Sequence, residues 1–279
     1  MEHEDVLSVD EISEIVRATA ACGITKVRVT GGEPLVRRGI VEICRRISET
    51  AGIKEVCLTT NGILVPQFAK ELKSAGVNRL NISLDSLDRS TYNDITRSDS
   101  LDDALAGVSD ALENGFNVKV NAVLIGGVND NEVIQLLELT RKYRVNVRFI
   151  EIMPIGECAN WAESRFFSVQ NVLDLAPELR ETGTDGVTKQ YMLPGGLGSV
   201  GLISPISSHF CPTCNRIRVT SDGILKPCLH SAEEINLRGL HGAELENIIR
   251  RSIFEKPRKH ELDAGKQSAA ARNMNAIGG

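Results

Sequence analysis

Apolar and polar positions in the first half of the chain alternate between two periods. Runs at Lys26 to Thr30, Glu55 to Thr60, Arg79 to Leu84, Val118 to Leu124 and Asn146 to Ile152 predict short strands. The segments between them carry helical spacing, so the pattern is a βα series. It begins on a helix. Ser8-Val9-Asp10-Glu11 has the form of a capping box, with Ile12, Ile15, Val16 and Thr19 on one face and Gly23 near the stop. A βα series ordinarily places a strand before its first helix. The expected fold class is therefore α/β, with the first strand missing.

Parallel strands covered by helices usually read as continuous apolar runs. These do not. Val27 and Val29 share one face while Arg28 and Thr30 share the other, and the alternation recurs through Thr59, Ser83 and Lys119. In a curved sheet with helices outside, that polar face lines the interior and calls for a ligand or water. The plainer alternative puts Arg28 and Lys119 at strand ends, in solvent. After the first strand comes Gly31-Gly32-Glu33-Pro34: two glycines admit a ligand close to the backbone, and the carboxylate can accept from an ammonium. The same four residues also suit an ordinary tight turn. Thr59-Thr60-Asn61-Gly62 and Asn81 to Asp85 put further polar groups at the carboxyl ends of strands, where α/β barrels build sites.

Composition narrows the function classes. A chain of 279 residues with 42% hydrophobic content supplies a substantial core. Its 32 basic and 37 acidic residues give a formal charge of −5, and aromatics are only 4%. Nucleic-acid and membrane partners are not expected from that balance. The acidic start, MEHEDVLSVDE, has no apolar stretch of signal-peptide or membrane-span length, so a soluble compartment is expected. Seven cysteines, an odd number, fit a reducing environment. Cys22, Cys44, Cys57 and Cys158 read as small buried hydrophobes, and Trp161 with Phe166-Phe167 as packing residues.

The other three cysteines carry the strongest chemical signal. Cys211 and Cys214 form a CxxC turn, and Cys228 returns to it across a strand pair whose turn is marked by Asp222 and Gly223. Three converging thiolates read as a metal site. Tetrahedral zinc would need a fourth ligand, His209 or His230, whereas an iron–sulfur cluster held by three cysteines leaves one iron open. Arg216 and Arg218, two apart on an extended strand, point to one face near the sulfurs. Two forked cations suit an anionic ligand, phosphate above all.

VRVTGGEPLVR, LTTNG, LNISLDSL, VKVNAVL, FIEIMPIG and FCPTCNRIRVTSDGILKPCL follow one another in an order that resembles the GTP 3′,8-cyclase family, radical S-adenosylmethionine (SAM) enzymes that begin molybdenum cofactor synthesis. The resemblance covers nearly the whole chain and includes the terminal Gly278-Gly279. It implies an incomplete (βα)6 TIM-like barrel of the radical SAM type, first strand missing, with a C-terminal cluster-binding hairpin domain. Cys211, Cys214 and Cys228 would hold a 4Fe-4S cluster whose open iron faces the guanine of GTP. Arg216 and Arg218 would contact the nucleotide, and Arg28, Thr59 and Lys119 would hold other parts of it, chiefly phosphate. Gly32, Ser83 and Met153 would line the SAM site. The implied reaction is a lyase step, GTP to 3′,8-cyclo-7,8-dihydro-GTP, driven by a 5′-deoxyadenosyl radical. An electron donor and, downstream, cyclic pyranopterin monophosphate synthase are the implied partners. The implied compartment is cytoplasmic, or the mitochondrial matrix if the source is eukaryotic.

One departure is sharp. The second 4Fe-4S cluster of the family, the one that cleaves SAM, is held by a CxxxCxxC loop, and no such motif occurs among the seven cysteines. Two expectations follow: a front-truncated cyclase, or a protein that binds GTP and one cluster without radical chemistry. A zinc-stapled structural module is the third reading. The expected organisation is a partial barrel over 1–155, a cluster- and GTP-binding region over 156–262, and a flexible tail over 263–279. The tail's two glycines alternatively thread into the barrel. A barrel lacking its first strand exposes an edge, which makes a homodimer an expectation.

Overall fold

The computed structural model describes residues 6–208, 210–257, 259, 268–270 and 272–278. The capping box forms as the sequence predicts. Ser8 Oγ accepts from Glu11 N at 3.2 Å, and Glu11 Oε2 accepts from Ser8 N at 2.7 Å, opening α1 (Val9–Ala21). The five expected strands follow as β1 (Lys26–Val29), β2 (Glu55–Thr60), β3 (Arg79–Ser83), β4 (Asn117–Leu124) and β5 (Asn146–Glu151). They are separated by α2 (Ile40–Glu49), α3 (Val65–Ser74), α4 (Arg89–Thr96) with α5 (Leu101–Glu113), and α6 (Val133–Lys142).

Each helix carries an apolar stripe that fixes its place. In α2, Ile40, Ile43, Cys44 and Ile47 are buried at the i, i+3, i+4, i+7 positions. They pack with the outward rows of the sheet, among them Leu58, Leu80 and Val118, and Val120 and Val147, all in one core. Each such side chain contributes roughly 1.5–3 kcal/mol by leaving water.

The sheet continues past residue 155, where the sequence pattern had placed the end of the barrel half. After α7 (Gln170–Leu175) come β6 (Arg180–Asp185), β7 (Thr188–Met192) and β8 (Ser199–Ile203). β8 joins β5 in parallel, and the antiparallel pair β7 and β6 follows, giving the order β1-β2-β3-β4-β5-β8-β7-β6. Six strands are parallel, and among the described residues β1 and β6 are unjoined edges, so the barrel is open.

A second, smaller sheet is built from β9 (Arg218–Val219), β10 (Ile224–Lys226) and β11 (Ile235–Asn236), followed by α8 (Gly242–Phe254). Leu225, Leu237, Leu245 and Ile249 close on Leu7, Ile15 and Ala18, so α1 is the floor on which the hairpin rests. Ser221 O in the hairpin turn accepts from Leu7 N at 2.7 Å.

The described part of the C-terminal segment lies on this region. Arg272 bridges Glu234 at 2.9 Å and Asp222 at 2.8 Å, and Ser268 N donates to Pro154 O. The short helix α9 (Met274–Ile277) then delivers Gly278 to Arg218, whose Nη1 donates to its carbonyl. Gly279, residues 263–267 and His209, the first of the two zinc-completing histidines, lie outside the described residues. No helix among those described is long and apolar enough to cross a membrane.

Candidate active site

The strand register assembles the polar face into three rows. Arg28, Cys57, Arg79 and Asn117 lie side by side on β1 to β4. Above them run Thr59, Asn81, Lys119, Asn146 and Ser199, and then Ser83, Asn121, Arg148, Gly201 and Gln190. The period of two seen at Arg28, Thr59, Ser83 and Lys119 is thus one continuous surface. Lys119 is the third residue of an eight-residue strand and only 6% exposed, so it does not sit at a solvated strand end. Arg28 does keep an exposed surface.

Among the described residues, several atoms on this face lack partners: Arg79 Nε, Asn81 Oδ1, Asn121 Oδ1 and Gln190 Nε2 are buried without a hydrogen bond. Native interiors rarely leave such atoms unpaired, and a cluster of them on one concave face is the signature of a site built for a polar ligand or ordered water.

The face is also strongly cationic. Arg79 pairs with Glu55 at 2.7 Å and Cys57 Sγ at 2.9 Å. Lys119 and Arg148 converge on one carboxylate, Asp185 Oδ2, at 2.6 and 2.8 Å. Burial, with Arg148 beside it, pushes the Lys119 ammonium down to about 8. Burial also takes Arg148 down to about 10; Asp185 opposes this, while Arg28, Arg79 and Arg216 add to it. Arg218 falls to about 10 through burial and then through Arg216 and Arg28. Arg28 is lowered by burial and by Arg216. These cations come from β1, β3, β4, β5 and the hairpin, and Arg148 links the groups, acting on Lys119 and feeling Arg28, Arg79 and Arg216. The hairpin cations and the sheet cations therefore face one volume.

Arg148 and Arg79 are missing from the sequence-derived set, although both obey the same alternation as Lys119. Asp185 is missing too, and nothing local announces it: β6 is exposed along its whole length. The Glu33 carboxylate accepts from Leu35 N, Thr60 Oγ1 and Asn61 N at 2.8 to 2.9 Å, clamping the turns after β1 and β2 together. Gly32, Ser83 and Met153 stand at the carboxyl ends of β1, β3 and β5; Gly32 and Ser83 are exposed, and a side chain at Gly32 would meet nothing within 4 Å. Of the four cysteines expected as buried hydrophobes, only Cys44 behaves so, its thiol pushed up to about 12 by burial. Cys57 is buried but faces the polar rows, and Cys22 and Cys158 are half-buried.

Cys211 and Cys214 bracket a single 3-10 turn, and Cys228 lies two residues beyond β10; all three are free and half-buried. Cys214 and Cys228 both act on Arg218, which places them near one guanidinium. Burial works against the Cys214 thiolate, yet the Arg216 N–H and the Lys256 ammonium, 3.4 Å from Sγ, win and hold its pKa below the usual thiol range. Arg216 precedes β9 and lies over the Phe210 ring, so the two arginines do not share one regular strand. His230, the second zinc-completing histidine, faces Ser268 Oγ at 3.2 Å. Among the described residues, no three His, Cys, Asp or Glu side chains are gathered tightly enough for a single metal ion. Three thiols with cations around them fit an anionic thiolate-ligated cluster by the chemistry of the donor set.

Two family models match: Radical SAM superfamily over residues 1–140, and Molybdenum Cofactor Synthesis C over residues 145–262. The GTP 3′,8-cyclase of Alkaliphilus oremlandii is 47% identical, with all of this chain and 89% of the relative covered. That of Alkaliphilus metalliredigens is also 47% identical, over 99% of this chain and 88% of the relative. Among solved structures, Streptococcus suis SuiB aligns with a TM-score of 0.62 at 15% identity, covering 88% of this chain and 62% of that one, a likeness of fold.

Proposed function

Because this chain belongs to the GTP 3′,8-cyclase family of the radical SAM superfamily, we propose that its cationic face binds GTP for the cyclisation that opens molybdenum cofactor synthesis. The observation that carries this reading is the convergence of buried Lys119 and Arg148 on one carboxylate oxygen, with Arg28 and Arg216 acting on Arg148 and on Arg218. A triphosphate is the kind of anion that compensates several cations gathered on one face, two of them buried. Lys119, Arg148 and Arg28, with the Thr59 hydroxyl, take the phosphates; Arg216 and Arg218 orient the remainder of the nucleotide. Gly32, Ser83 and Met153, at the carboxyl ends of the alternate strands β1, β3 and β5, form the SAM pocket.

Cys211, Cys214 and Cys228 would hold a 4Fe-4S cluster, which when bound supplies an open iron able to accept a purine heteroatom. Lys256 steadies that end of the hairpin by donating to the carbonyls of Cys214 and Arg216. Gly278 packs against Thr30, where a side chain would come within 2.6 Å of Cγ2, so the tail closes one side of the same interior and helps keep water out. The sequence offers no CxxxCxxC, so none of its residues is assigned to the cluster that cleaves SAM, and no step through that cluster is derived. The product would pass to a cyclic pyranopterin monophosphate synthase, and the electrons would come from an external donor.

Iron, sulfide and zinc per chain after anaerobic reconstitution, together with equilibrium dialysis against GTP, test the reading. About four irons with matching sulfide, lost in Cys228→Ser, and saturable GTP binding lost in a Lys119→Ala, Arg148→Ala double variant are expected. One zinc without sulfide, or no GTP binding by the folded protein, would overturn it.

A further inference from the structure

Asp185 sits at the tip of the β6–β7 hairpin, at the far edge of the sheet, yet its carboxylate reaches across to β4 and β5. There it pairs with Lys119 at 2.6 Å and Arg148 at 2.8 Å. Both cations are nearly inaccessible, with side chains 8% exposed, whereas Asp185 is half exposed. The rest of its strand is poorly anchored. Among the described residues β6 pairs only with β7, its register slips between Glu181 and Gly183, and all six of its residues are exposed. The tip turns through Gly186 at φ +62°. An acidic oxygen held between two buried cations, on an arm with almost no core contacts, has the chemistry of a phosphate oxygen and the freedom to leave.

We propose that Asp185 is a built-in counter-ion that competes with the substrate's phosphates for Lys119 and Arg148, so that binding the nucleotide displaces the hairpin tip and Asp185 sets how tightly an anion must bind to enter. This rests on the reading of Lys119 and Arg148 as phosphate ligands. Without a counter-ion, two buried cations a few ångströms apart repel each other and destabilise the fold. With one on a loose arm, the pair stays neutralised until a ligand carrying more charge arrives. A weakly charged anion would not displace the carboxylate, so the device favours polyphosphate over monophosphate.

The test is isothermal titration of the 279-residue protein with GTP and with inorganic tripolyphosphate. The variants are Asp185→Asn, Asp185→Glu and Lys119→Ala, with circular dichroism melts to check folding. Asp185→Asn keeps the shape and an accepting oxygen but removes the charge, and should tighten both ligands by about tenfold, the equivalent of releasing one charge-assisted hydrogen bond. Asp185→Glu, which retains the charge, should stay within about threefold of the parent on the same scale. A merely structural role would weaken binding on substitution, not tighten it. Unchanged or weaker binding by folded Asp185→Asn, while Lys119→Ala still loses affinity, overturns the counter-ion role and leaves the phosphate site standing. If Lys119→Ala binds both ligands as well as the parent does, the phosphate reading fails and the proposal fails with it.

Discussion

Raising the pH should weaken anion binding at Lys119 well below the pH at which an ordinary lysine titrates. The ammonium is buried beside Arg148, and its pKa is pushed from 10.5 down to about 8. A bound phosphate keeps the proton in place, so apparent affinity follows the protonated fraction of the free protein. That fraction falls from about nine-tenths at pH 7 to about one-tenth at pH 9, an affinity loss of about tenfold, or roughly 1.4 kcal/mol. Tripolyphosphate titrated calorimetrically between pH 7 and pH 10 provides the curve, with Lys119→Arg as the control that should stay flat across it. Affinity that holds constant to pH 10 in the parent would refute the reasoning. The same group leaves a stability signature of fixed sign. Below pH 8 the lysine is charged in both folded and unfolded chains, and the burial penalty, about 3 kcal/mol on the scale of the shift, is fully present. Between pH 8 and 10.5 the unfolded chain binds the proton and the native one does not, so stability rises with pH. Asp185 runs the other way. Its hydrogen bond from Lys119 holds it at about 2, so its contribution is present above pH 3.8 and disappears as pH falls through about 2.

Two further substitutions probe how the scaffold positions the site. Gly107→Ala, in the middle of α5, would ordinarily stabilise a helix by about 1 kcal/mol. Here the added carbon would lie 2.1 Å from Gly62 O, in the loop that follows Thr59 and Thr60, so a loss of about 3 kcal/mol in urea denaturation is expected; a gain would show that the loop yields freely. Glu151→Gln tests the joint between sheet and hairpin. Glu151 is fully buried and accepts from Val169 N, Ile206 N, Ser207 N and two serine hydroxyls, tying the end of β5 to the segment that leads into Cys211. An amide there turns a donor toward donors, with an expected cost of about 3 kcal/mol and poorer iron retention; parent-like stability and iron content would dismiss the joint.

The sequence made the first five strands and the polarity of one sheet face legible because both rest on local periodicity. Arg28, Thr59, Ser83 and Lys119 fall into rows for the same reason. Arg79 and Arg148 share that period but stand at or near the start of their strands, so each reads as a boundary residue rather than a site residue. The donors to Glu33 were not legible because Thr60 and Asn61 are a strand and a helix away. β6 carries no apolar pattern and exists through its pairing with β7, so neither it nor the reach of Asp185 could be read from composition. The sheet's extension through β8 escaped for a related reason. Ser199 to Ile203 is a short apolar run after a glycine-rich turn, and its pairing with β5 and β7 makes it a strand.

Net charge was the least informative of the global quantities, and the reason is physical. A formal charge of −5 argues against a polyanion-binding surface only when charges are spread over that surface. In this chain Arg28, Arg79, Lys119, Arg148, Arg216 and Arg218 project into one interior, and the carboxylates paired with them are Glu55 and Asp185. Glu151 and Glu33 are occupied by other donors and do not answer that charge. The resulting local excess of positive charge is screened little by salt because most of these side chains are buried or half-buried. An anion entering the interior therefore meets a field opposite in sign to that of the whole molecule. Asp185 lowers the mutual repulsion of Lys119 and Arg148 within that field, and so ties the hairpin tip, remote in sequence from every motif, to the polar face of the sheet.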